Sequence, residues 1–158
     1  MRIGLWAVAV LALTAAQQPP AGPSALGKWT LNTAKSRFTP GPGWRSQTRT
    51  YSLQPDGGVL VVWTGVGGAG ESMNVRFVSK LDGKDRPMSG SDKYDTINSV
   101  RVDALTVKSE EKRGGKVAGV AIRTLSADGK VMTITDAGTN REGVKFSQLL
   151  VFEKVADR

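Results

Sequence analysis

The sequence predicts an all-β fold, an antiparallel up-and-down β-barrel of eight to ten strands with almost no helix. Two observations predict it. Glycine turns recur along the chain as Pro55-Asp56-Gly57-Gly58, Gly65 to Gly70, Asp82-Gly83, Gly114-Gly115, Asp128-Gly129 and Asn140-Arg141-Glu142-Gly143. Between them lie short segments rich in Val, Ile, Thr and aromatic residues, whose apolar members alternate with period two. Glycine supplies the positive φ of tight hairpins, and alternation marks strands with one buried face. Hairpin neighbours pair antiparallel, and closing them into a barrel leaves no bare edge. A two-sheet sandwich is the alternative.

The elements follow in order. Arg2, the apolar run 3–13 and the small residues Thr14-Ala15-Ala16 read as a cleaved signal segment over 1–16, because the run is too short to span a bilayer. Residues 17–26, rich in proline and polar side chains, read as a disordered spacer, and 27–158 as the single barrel domain. A first strand is expected over 28–32. The stretch 33–44 breaks the rhythm: Pro40 and Pro42 forbid a central strand, and Phe38 and Trp44 are expected to plug one end of the barrel, the alternative being that they line its mouth. Strands are then expected over 47–53, 59–64 and 73–81, with a weak one near 87–90. Further strands follow over 97–102, 105–112, 117–125, 130–136 and 144–154. A nine-residue segment spans roughly 30 Å at about 3.3 Å per residue, enough for a tilted barrel wall.

Composition narrows the chemistry. The chain has neither His nor Cys, which removes disulfides, His-ligated zinc, the Ser-His-Asp triad and any histidine base. No enzymatic activity is expected; the alternative is an isomerase or hydrolase working through Tyr or Asp. No cofactor is expected. The net charge of +8 comes from Lys and Arg spread along strands and turns, with no dense basic run. A solvated barrel exterior accounts for it, and nucleic acid is not an expected partner. The protein is expected to be a periplasmic or secreted monomer with no transmembrane anchor.

Several motifs dissolve on inspection. Gly65-Val66-Gly67-Gly68-Ala69-Gly70 matches a dinucleotide fingerprint, but an alternating strand follows it where the pyrophosphate would need a helix N-terminus. Ser109-Glu110-Glu111-Lys112 matches Ser-x-x-Lys, but ends a strand on which the two side chains point apart. The four aspartates between Asp82 and Asp95 are interspersed with Lys84, Arg86 and Lys93, and read as a charged loop, not a calcium site. Asp136 and Glu142 read as exposed charges without partners.

Gly27-Lys28-Trp29-Thr30-Leu31 heads the first strand. With the hairpin train behind it, this resembles the calycins, the lipocalins and fatty-acid-binding proteins, whose chains also open with Gly-x-Trp. The resemblance implies a ligand-holding barrel with Trp29 closing one end as a structural residue. The chain departs from both groups: it lacks the lipocalin helix before the last strand, and residues 33–44 are too short for the helices of fatty-acid-binding proteins.

The expected function is the binding of a small apolar or anionic amphipathic ligand inside the barrel. Tyr51, Trp63 and Phe77 would supply contact area. Arg49 shares a face with Tyr51, Gln148 shares one with Phe146 and Leu150, and Arg123 shares one with Ala121 and Leu125, so these three could anchor a polar head. An inward Arg49 in an empty barrel would need an internal carboxylate or water. The alternative is a structural or interaction module of the cell envelope with a filled core. A cavity above about 300 Å³ would favour the binder.

Overall fold

The computed structural model describes residues 23–156, so the predicted signal segment lies outside the described residues. The chain forms eleven strands and, among the described residues, no helix. They are β1 (Gly27–Leu31), β2 (Arg37–Thr39), β3 (Ser46–Leu53), β4 (Val59–Val66), β5 (Ser72–Ser79) and β6 (Arg86–Pro87). The rest are β7 (Thr96–Arg101), β8 (Thr106–Arg113), β9 (Lys116–Leu125), β10 (Val131–Thr139) and β11 (Lys145–Lys154). All pairings are antiparallel, in the order β5-β4-β3-β1-β11-β10-β9-β8-β7-β6. Arg76 on β5 and Ser89 just beyond β6 exchange backbone hydrogen bonds of 3.0 Å, and this single bridge brings the two ends of the sheet together. The result is a nearly closed up-and-down barrel, as the hairpin rhythm predicts.

One expectation needs correction. The stretch 33–44 contains β2, which pairs with Ser147 to Leu149 of β11, while β1 pairs with Phe152 to Lys154 farther along the same strand. Thus β1 and β2 lie end to end along β11. Pro40 limits β2 to three residues because it cannot donate to a ladder, but it does not forbid the strand. Phe38 and Trp44 are half-buried against the core at one end of the barrel.

Turn chemistry sets the register. Gly57 and Gly129 sit at φ 79° and 68° in the β3–β4 and β9–β10 hairpins, a region that residues with a Cβ rarely enter. The Gly65–Gly70 segment closes the β4–β5 hairpin through Gly67 N–H donating to the Glu71 carbonyl at 2.8 Å. It is a turn, as expected. With this register the inward faces align. Arg49, Trp63 and Val75 lie abreast on β3, β4 and β5, and Phe152, Met132 and Leu125 on β11, β10 and β9. Trp29, Phe152, Met132, Leu150 and Val75 are the largest wholly buried side chains.

The barrel therefore has two distinct ends. At the first, called here the open end, β1, β4, β8 and β10 begin. At the second, the narrow end, these strands finish and β3, β5, β7, β9 and β11 begin. Residues 23–26 of the expected spacer lie against the open end, held there by Trp29 Nε1 donating to the Ala25 carbonyl at 2.8 Å.

The charged loop behaves as its composition suggests. Asp82 pairs with Arg86 at 2.8 Å and Asp85 with Lys112 at 2.8 Å. Among the described residues no group of carboxylates is arranged to hold a metal ion.

Candidate functional site

Most of the barrel interior is filled, and the space that remains divides by end. The open end carries a hollow of about 480 Å³, with Leu26, Tyr51, Val61, Leu105, Val107 and Leu125 on its walls and Arg101 and Arg123 among them. Below it lies a void of only about 50 Å³ between Trp63, Phe77 and Arg123. At the narrow end a cavity of about 40 Å³ lies between polar groups and the apolar side chains of Trp44, Trp63, Met73 and Ile134.

The residues singled out from the sequence all belong to inward faces but are not gathered into one site. Trp63 and Phe77 pack edge to face, centroids 5.7 Å apart. The Arg49 guanidinium lies 4.3 Å from the Trp63 ring centroid and 5.1 Å from that of Phe152. Its Nε donates to Gln47 Oε1 at 3.0 Å. Gln148 Nε2 donates to Asp136 Oδ2 at 2.6 Å. Tyr51 donates its hydroxyl to Met132 Sδ at 3.6 Å, and the Arg123 guanidinium sits 5.2 Å from the Tyr51 ring. Only Tyr51 and Arg123 reach the large hollow. Arg123 Nε is buried with no hydrogen-bond partner.

The narrow end overturns the exposed-charge reading of Asp136. Asp136 follows Ile134 on the inward face of β10, and Glu111 lies inward on β8, only 5 % exposed. The two carboxyls face each other across Gly119 and Ala121 of β9. Burial first, and then the charge of Asp136, push the Glu111 carboxyl up to about 8. Burial also raises Asp136, opposed by the Gln148 hydrogen bond and by the positive charges of Lys93 and Arg49. At neutral pH the pair therefore holds a proton. The charge of Arg49 acts on both carboxyls from within the barrel, while its Nε bonds to Gln47.

Tyr94 completes the cluster from the segment before β7. Its phenol packs over a glycine pair, Gly119 on β9 opposite Gly138 on β10. Burial raises its pKa, and Glu111 and Asp136 raise it further. Beside Glu111 the ladder is irregular: Glu111 faces Gly119 but Lys112 faces Val117, so Ala118 is an extra residue. Such a bulge re-aims neighbouring side chains. A Cβ on Gly119 would overlap the Tyr94 hydroxyl and approach Glu111 Oε2 to 3.0 Å. Gly119→Ala should thus lower stability by roughly 1–3 kcal/mol, as overpacking does, read as a lower urea midpoint. An unchanged midpoint would show that the phenol is not pinned against the glycines.

The Ser109-x-x-Lys112 match separates as expected: Ser109 Oγ meets Ser99 Oγ at 2.8 Å inside the barrel, while Lys112 reaches outward to Asp85. Comparison with protein-family models, with curated proteins and with solved structures returns no match to this chain.

Proposed function

We propose that the protein binds a small amphipathic acid at the open end of the barrel, its apolar body in the hollow and its carboxylate on Arg123. The observation that carries this reading is Arg123, which makes no hydrogen bond through its buried Nε and lines an apolar hollow of about 480 Å³. A guanidinium N–H removed from water without a partner is costly, and a carboxylate is its natural complement. The volume falls within the usual range for small-molecule sites, roughly 300–1,000 Å³. Tyr51 stacks behind the guanidinium and would hold it in place. Arg101 adds a second positive charge at the rim.

This reading moves the anchor away from Arg49 and Gln148, whose polar atoms are engaged within the barrel. It also agrees with the calycin resemblance, in which the barrel is a container. The filled deep interior restricts the ligand to the mouth.

Calorimetric titration with decanoate tests it. Wild type should bind saturably, Arg123→Met at least about tenfold more weakly, the loss of one charge-assisted hydrogen bond. Arg49→Met should bind as wild type does. Equal affinity in Arg123→Met would remove Arg123 as the anchor, and no binding of any apolar acid would favour a structural or interaction module instead.

A further inference from the structure

Four polar atoms at the narrow end have no partner outside the cluster they form around the small cavity: Gln47 Nε2, Tyr94 Oη, Glu111 Oε2 and Asp136 Oδ1. They come from four different segments of the barrel. Gln47 and Glu111 are 2 % and 5 % exposed, so water outside cannot satisfy them. Unsatisfied polar atoms at this density are rare in folded proteins. Their orientations are fixed by second bonds. Arg49 Nε occupies Gln47 Oε1 and so turns Nε2 toward the cavity, while Gln148 occupies Asp136 Oδ2 and leaves Oδ1 to face the cavity and Glu111.

We propose that this cavity is a second binding site, for a neutral ring bearing a hydroxyl, with the hydroxyl seated among Gln47, Tyr94, Glu111 and Asp136. The donor and acceptor inventory selects the tip. Gln47 Nε2 can only donate and the Asp136 carboxylate can only accept, so the occupant must do both. An ammonium has no lone pair for Gln47. A carboxylate would bring a second anion beside Asp136. Arg49 and Lys93 stand against the single negative charge of the proton-sharing Glu111–Asp136 pair, and Glu71 and Asp92 line the outer hollow, so neither sign of ligand is favoured throughout the site. A hydroxyl meets both requirements, and about 40 Å³ admits one such group or one water, whose share of the liquid is roughly 30 Å³.

The body of the ligand has its own place. An outer hollow of about 130 Å³ shares Trp44, Met73, Lys93 and Gln148 with the inner cavity. Its other walls include Phe38, Pro42 and Phe146, with Lys93 Nζ 4.2 Å from the Phe146 ring centroid. Flat apolar surfaces beside a hydrogen-bonding recess suit a saturated or hydroxylated ring. A sugar and an alicyclic alcohol share that chemistry.

The test uses the full chain and four probes: cyclohexanol, D-glucose, cyclohexylamine and cyclohexanecarboxylate. The readout is the indole N–H resonance of Trp44, with that of Trp29 at the open end as reference. A neutral probe should shift Trp44 saturably and leave Trp29 unmoved; cyclohexanol binding alone identifies an alcohol site, and glucose binding a sugar site. The two charged probes should bind at least about tenfold more weakly, as should cyclohexanol to Gln47→Leu, since each forfeits a buried hydrogen bond. Arg123→Met should bind cyclohexanol as wild type does, so failure here and failure of the decanoate experiment are separable. No saturable shift by either neutral probe, or equal binding of the charged ones, would overturn the proposal and leave the cavity a water site only.

Discussion

Raising the pH from 5 to 8.5 should destabilise this protein by several kcal/mol. The reason is the buried Glu111 carboxyl. In the unfolded chain it ionises near 4.5, the ordinary value of a glutamate, whereas in the barrel burial and Asp136 hold it protonated up to about 8. Between those values the folded state binds a proton that the unfolded state has lost. Stability is therefore full below about 4.5 and drains away as the pH rises through 8, by about 1.4 kcal/mol for each pH unit. Asp136, also raised, adds in the same direction. Little opposes the trend. The chain has no histidine, and the carboxylates with depressed values, such as Asp82 and Glu153, are exposed and finish titrating at lower pH.

Urea denaturation at a series of pH values should show the midpoint falling across this window. Glu111→Gln keeps the shape of the protonated acid and cannot ionise, so its midpoint should be nearly flat and should exceed that of wild type at pH 8.5. Asp136→Asn behaves differently. It removes the anion that faces Arg49 and Lys93 and that accepts the Gln148 amide, so it should be less stable at every pH. A flat wild-type profile, or an unchanged slope in Glu111→Gln, would show that the pair does not share a proton.

The strands were legible because alternation is a local property. Phe146, Gln148, Leu150 and Phe152 announce the inward face of β11 without any knowledge of its neighbours. β2 was not legible, since three residues between a turn and a proline carry no period. The acid cluster was half visible. Met132, Ile134 and Asp136 fall on one face at period two, and so do Val107, Ser109 and Glu111. That face places each carboxyl inside once its apolar companions are. The first signal runs against the exposed-charge reading of Asp136, and the second marks as inward a Glu111 that enters the sequence reading only within Ser109-x-x-Lys112. What no local pattern contains is the meeting of β8 and β10 across β9, which depends on register and on a bulge at Ala118. Gly119 and Gly138, glycines inside otherwise sound strands, are the trace that Tyr94 leaves in the sequence, because a close approach is one reason for glycine at such a position. The open-end hollow was invisible for another reason: part of its wall is residues 23–26, whose composition resembles a spacer.

Trp29→Ala should produce the largest loss from a single substitution, about 3–5 kcal/mol out of a typical domain stability of roughly 5–15. Trp29 is wholly buried, with Arg49 opposite it on β3 and Lys154 opposite it on β11. Its indole fills space that no neighbour can close, and Lys154 Nζ lies 5.4 Å from its ring centroid. Truncation opens a cavity and also releases the Ala25 carbonyl from Nε1. The two losses can be separated. Trp29→Phe retains an aromatic ring but not the hydrogen bond, and should forfeit a smaller part, of which about 1 kcal/mol belongs to the N–H. Because Ala25 lines the open-end hollow, Trp29→Phe should also weaken decanoate binding while leaving cyclohexanol binding at the narrow end unaltered. A residue that merely plugs the barrel would lower the urea midpoint without touching decanoate affinity. A midpoint shift in Trp29→Ala worth less than about 1 kcal/mol, the size expected of surface changes, would show that the indole is not the keystone of this end. Loss of decanoate binding in Trp29→Phe at nearly wild-type stability would show instead that the indole acts chiefly by holding the 23–26 segment as a wall of the site.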